Sequence, residues 1–137
     1  MTRTELMTFV NETAGPGILS TGDGAGEVNA AVFGSVRMVD ENTLVIALGE
    51  NRSLAHLRKN PRAVFLVSRP GASVLSWQGA RIYLQVTGIE TDGEDMEAMV
   101  RDVARTAGRA AGRAIKARVI FQINEVRPLL DLTKQIP

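Results

Sequence analysis

The residues best suited to chemistry in this chain lie together at Asn51-Arg52-Ser53. They follow Gly49-Glu50 and head the short amphipathic run Leu54-Ala55-His56-Leu57-Arg58-Lys59, which Asn60-Pro61 closes. Asparagine is a favoured helix N-cap, and with Asn51 in that role the N–H groups of Arg52, Ser53 and Leu54 have no intrahelical acceptor. The macrodipole favours negative charge at the same end of the helix. Arg52 adds a planar fork of donors that matches phosphate, and Ser53 a hydroxyl. A helix start of this kind can hold a phosphate or carboxylate. Most polar caps hold no ligand, so the motif alone leaves both uses open.

A second pattern lies upstream. In "EVNAAVFGSVRMV", Ala30, Ala31, Gly34 and Ser35 occupy positions where a strand would favour bulk. Small residues there admit a ligand or another backbone, or they pack tightly beneath a helix. Other chemically suggestive residues point less clearly. His56 reads as a surface residue of the short helix, and Tyr83 as a strand residue with a structural role. Arg101, Arg105, Arg109 and Arg113 recur every four residues. Each such step overshoots a full turn by ~40°, so the stripe spirals, and no aromatic side chains interleave with it. It reads as a solvated helix face, and a nucleic-acid partner is not expected.

Composition narrows the chemistry further. The 137-residue chain has no cysteine and one histidine, which excludes thiolate chemistry, disulfides and histidine-rich metal sites. Sixteen basic residues balance fifteen acidic ones, so no global field draws the protein onto polyanions. No apolar run approaches the ~20 residues that span a bilayer, and a cytoplasmic protein with no membrane partner is expected.

The elements that must position these residues follow from periodicity and breakers. Thr2 and Glu5 have capping-box spacing, and Leu6, Phe9 and Val10 share a face, which predicts a helix over 3–13. Strands are predicted in "GILSTG", "EVNAAVFGSVRMV", "TLVIAL", "RAVFLVSR", "ARIYLQVTGIET" and "ARVIFQINEV", with short helices over 51–59 and 94–116. Gly108 and Gly112 weaken the second half of the latter. Six strands joined mostly by tight turns predict a mainly β fold, an antiparallel barrel with flanking helices, in one domain over residues 1–137.

The stretch "ILSTGDGAGEVNAAVFGSVRMVDENTLVIALGENRSLAHLRKNPRAVFLV" resembles the first half of the FMN-binding split-barrel family, which includes pyridoxamine 5'-phosphate oxidase. "WQGARIYLQVTG" resembles that family's long strand ending in glycine. The resemblance implies a six-stranded antiparallel split β-barrel that binds FMN as a homodimer, the sites lying near the subunit interface. It places Arg52 and Ser53 at the FMN phosphate with Asn51 just ahead. Asn29, Ala30, Ala31 and Val32 fall on the strand that lines the flavin ring, and Trp77 lies near a tryptophan found beside it. A deazaflavin is used by some members. Where the family commonly has Arg-Lys, this chain has Arg52-Ser53, a single cation. Ala31 and Gly34 replace aromatics common in small relatives and leave room over the ring. The C-terminal "RPLLDLTKQIP" lacks the Arg/His-rich segment of genuine pyridoxamine phosphate oxidases. The implied activity is hydride or electron transfer between a reduced donor and a small organic acceptor, with no acid or base residue identified. A non-catalytic FMN carrier or electron-transfer module is the alternative, and a flavin-free barrel binding nucleic acid or protein a third.

Overall fold

The computed structural model describes residues 1–131, so the end of the predicted tail, 132–137, lies outside the described residues. The chain begins with α1 (Arg3–Thr8), which Thr2 caps: its hydroxyl accepts from the Glu5 N–H at 3.1 Å while its own N–H donates to Glu5 Oε1 at 2.8 Å. The expected helix over 3–13 is not uniform. Residues Phe9–Thr13 widen into a π-type turn, with the Ala14 N–H donating to the Phe9 carbonyl at 2.8 Å. Leu6, Phe9 and Val10 are buried, as their spacing predicted.

Seven strands follow: β1 (Gly17–Gly22), β2 (Val28–Phe33), β3 (Val36–Asp40), β4 (Thr43–Gly49), β5 (Arg62–Arg69), β6 (Gln78–Glu90) and β7 (Ile115–Pro128). Between β4 and β5 lies α2 (Arg52–Lys59). After β6 come α3 (Glu94–Ala107) and α4 (Arg109–Ala114). All pairings are antiparallel in one sheet of order β2-β1-β5-β6-β7-β4-β3.

The extra strand arises because "EVNAAVFGSVRMV", expected as one strand, breaks at Gly34-Ser35. Gly17 pairs with Phe33, and beyond it Pro16 has no N–H to continue the ladder, so β2 must leave β1 there. The chain resumes as β3 against β4, at the opposite end of the strand order. One short segment therefore supplies both edges of the sheet. The Ser35 carbonyl accepts from the Ala47 N–H at 3.1 Å, which extends the β3–β4 ladder just beyond Val36–Ile46.

Alternate residues of each strand fill the interior, among them Leu19, Ile46, Phe65, Ile82 and Phe121, each 1% exposed or less. Leu54 and Leu57 of α2 join the same core. On the outer side of β4, Val45 shares a groove with Met99 and Val103 of α3. The helix predicted over 94–116 is split. Gly108 has φ +98°, a conformation side chains disfavour, and α4 folds back on α3. A Cβ on Gly112 would sit 2.8 Å from that of Ala104, so this glycine permits the close approach.

Candidate functional site

Asn51 is the N-cap of α2, as its position predicted. Its extended backbone turns the side chain so that Oδ1 accepts from the Leu54 N–H at 2.9 Å. That bond removes one of the three donors the sequence offered, because an asparagine cap satisfies the third N–H of its own helix. The Arg52 and Ser53 N–H groups keep no intrahelical acceptor. Arg52 itself is exposed and forms no ion pair among the described residues. The neighbouring carboxylate, Glu50, is engaged by Arg58 at 2.7 Å. The helix start thus combines two backbone donors, one free guanidinium and the positive end of the dipole.

Ser53 differs from expectation. Its side chain is 1% exposed and turns inward, where Oγ accepts from the Asn29 amide at 3.2 Å. Its contribution to the helix start is therefore the backbone N–H, and the hydroxyl instead ties α2 to β2. Asn29 and Ser53, far apart in the chain, meet through that bond. Along β2 the side chains of Asn29 and Ala31 turn inward and are part-buried, while Ala30 and Val32 turn outward and are exposed. Among the described residues no helix covers this outer face, so Ala30 there does not serve packing beneath a helix. As the terminal strand of the sheet, β2 turns the N–H and C=O of alternate residues away from β1.

His56, expected on the surface, is 7% exposed, and its Nδ1 lies 3.0 Å from the Thr21 hydroxyl. The signal for this was present in both elements. Thr21 follows inward-facing Leu19 by the strand period of two, and His56 follows Ser53 by three on the apolar face of α2. Beyond Thr21, Asp23 closes the β1–β2 loop by accepting from two backbone N–H groups. Ala25 at 2.8 Å is the larger cause holding its carboxyl below the usual range; partial desolvation opposes this, and Glu27 at 3.0 Å adds to it.

A groove of about 530 Å3 runs beside this corner. Its floor includes Ala30, Ser20, Val64, Tyr83 and Glu125, which stand in register across five strands. Tyr83 thus faces a groove, its hydroxyl 3.4 Å from an Arg81 guanidinium nitrogen. Trp77 lies elsewhere. It is 40% exposed in a separate groove between α1 and the β6–β7 ends, lined by none of residues 29–32 or 51–53. The arginine series also lies apart, on α3 and α4.

No family model and no curated protein matches the sequence. Solved structures do match. An FMN-binding protein from Syntrophomonas wolfei subsp. wolfei superposes with TM-score 0.81 at 23% identity, over 93% of this chain and 85% of that one. A FAD-binding protein from Mesorhizobium loti gives TM-score 0.68 at 14% identity, over 92% of each chain. HutZ, the heme storage protein from Vibrio cholerae, gives 0.64 at 14% identity, over 95% of this chain and 92% of its own. The fold is that of the FMN-binding split-barrel family, as the sequence resemblance implied. At these identities the likeness speaks for the fold.

Proposed function

We propose that this split barrel binds FMN, with the phosphate at the start of α2 and the ring along β2, and serves as an oxidoreductase. The observation that carries the proposal is the Asn29–Ser53 bond, which brings a helix start rich in anion donors beside the free edge of a small-residue strand. The residues fit the group. Arg52 and the N–H groups of Arg52 and Ser53 suit a phosphate monoester. The outward-turned N–H and C=O groups of β2 suit the pyrimidine edge of the ring, which alternates acceptors with a donor.

When bound, the flavin would supply the hydride or electron chemistry. The chain's own residues bind and orient it: Asn51 shapes the helix start, Arg52 neutralises charge, and Ala30 leaves the outer strand surface open. The partner chemistry is a reduced donor and a small organic acceptor. Reversible reduction without turnover would instead identify an electron-transfer module or FMN carrier. A heme reading has less support, because the single histidine is buried and engaged with Thr21.

A homodimer completes the proposal. Val28, Val32 and Ile18 on the outer face of β1 and β2 are 80%, 66% and 38% exposed, an apolar surface that a second copy would cover. Trp77 of a second copy is the aromatic wall proposed for the ring. The test is titration of the purified protein with FMN, a deazaflavin and heme, read by absorbance and flavin fluorescence. Binding of FMN in the micromolar range is expected, and failure at about 100 μM would sink the reading. Sedimentation of the loaded protein as a monomer would remove the dimer from it.

A further inference from the structure

Among the described residues, the buried polar side chains are Thr21, Ser53 and His56, at 5%, 1% and 7% exposure. All three stand at one corner, where α2 rests on the β1–β2 hairpin. Each has a partner there: Thr21 with His56 at 3.0 Å, and Ser53 with Asn29 at 3.2 Å. Burying a polar group is costly unless its bonds are made, and an apolar pair of the same shape would hold the helix as well. What the polar pairs add is direction.

The geometry of the two bonds is matched. Thr21 and Asn29 are directly opposite each other in the β1–β2 ladder, so their side chains leave the same face of the hairpin. Ser53 and His56 are three residues apart on α2 and so share a face of the helix. One attachment would let the helix pivot. Two attachments, from one cross-strand pair to one helical pair, fix both its position and its rotation on the hairpin.

We infer that the Thr21–His56 bond is a positioning device for the phosphate end of the cofactor, with His56 and Thr21 as positioning residues that do not touch the ligand. This rests on the FMN reading and deepens it. The ring is held by β2 and the phosphate by α2, so a ligand that spans both senses their relative placement. Asn29–Ser53 secures the first turn of α2 to the ring-bearing strand. Thr21–His56 secures the second turn and stops the Arg52 end from swinging about the first bond. Riboflavin, which lacks the phosphate, is indifferent to that swing.

The experiment measures dissociation constants for FMN and for riboflavin, with thermal unfolding as a control, in wild type, Thr21→Val, Thr21→Ser and the double variant Thr21→Val/His56→Leu. Thr21→Val leaves the imidazole buried without its partner, whereas the double variant removes both polar groups and avoids that penalty. Thr21→Val and the double variant are expected to bind FMN about tenfold more weakly, the scale of one net hydrogen bond, with riboflavin changed less than about twofold. Thr21→Ser should restore the wild-type ratio. A merely structural bond would lower both affinities together and follow the melting temperature. Equal losses for the two flavins, or an unchanged ratio in the stable double variant, would overturn the inference while leaving FMN binding intact. Wild-type protein that binds neither flavin would overturn the functional reading, and this inference with it.

Discussion

Of the helical elements that lie over this barrel, α2 and the α3–α4 pair use their charged residues in opposite ways. The α3–α4 pair carries four arginines at regular spacing, yet what it turns inward is Met96, Val103 and Gly112. Its most regular ion pair, Arg105 with Asp102 at 2.8 Å, is 72% exposed on both sides. At α2, Arg52, which forms no ion pair among the described residues, heads a helix whose buried Ser53 and His56 are each bonded to the hairpin. The difference teaches that abundance of charge is a poor guide to a site. Exposed pairs contribute little, because water and salt screen them and long side chains lose entropy in making them. Buried polar groups must be satisfied by specific partners, so they mark the corner where relative placement matters.

Both corners depend on the shared core, and Phe121→Ala is the change expected to erase the contrast. It should cost about 3–5 kcal/mol, read by denaturant unfolding, and weaken the seating of both helical elements. A loss well under that range would mean the two layers are held independently of the barrel.

Arg52→Ala should separate the corners most clearly. FMN should bind about 1.5–3 kcal/mol more weakly, with riboflavin hardly changed, since a charge-assisted bond to the phosphate is lost. Arg105→Ala should alter neither. Equal losses for FMN and riboflavin would take Arg52 away from the phosphate, and a response to Arg105→Ala would dissolve the comparison.

A third change probes the opposite side. Gly112→Val forces a side chain against Ala104 and should destabilise the protein by about 1–3 kcal/mol through overpacking. FMN affinity should survive in the folded fraction. A parallel loss of flavin binding would show that α3–α4 and α2 are coupled.

The smallest effect is expected at Asp23, in the exposed loop of the hairpin on which α2 rests. Its carboxyl is held below the ordinary value, by the Ala25 N–H first and the Glu27 N–H after partial desolvation is overcome. A lowered folded-state value contributes stability that is present above the unfolded value of ~3.9 and lost as pH falls through the folded one. The small advantage of wild type over Asp23→Ala in thermal unfolding should therefore hold from neutral pH to about pH 5 and vanish in stronger acid. An advantage that persists at the lowest pH would assign it to loop geometry instead of charge.

Much of this was legible before the fold. Gly-Pro breaks and alternating apolar residues marked the strands, and Asn51 marked the start of α2 because capping is decided within one turn of chain. Gly108 similarly announced a weak point in its helix. The strand count was less legible: nothing local to Gly34-Ser35 says that β2 and β3 pair with different partners. That depends on where β1 runs out, at Gly17 after Pro16. The surface reading of His56 failed for a related reason, since a lone histidine on a short helix is judged by type, whereas its burial follows from what the helix rests on.

The sequence by itself determined the periodicities, the caps and the breaks, and with them a mainly β barrel carrying an anion-competent helix start. These are set by interactions among residues a few positions apart, where chain connectivity already fixes the geometry. Only the tertiary structure decided that Ser53 turns away from the helix start toward Asn29, that His56 meets Thr21, and that Trp77 lies in another groove. A buried donor must find an acceptor among all residues brought near it, and proximity between segments 24 or 35 positions apart is created by folding of the whole sheet.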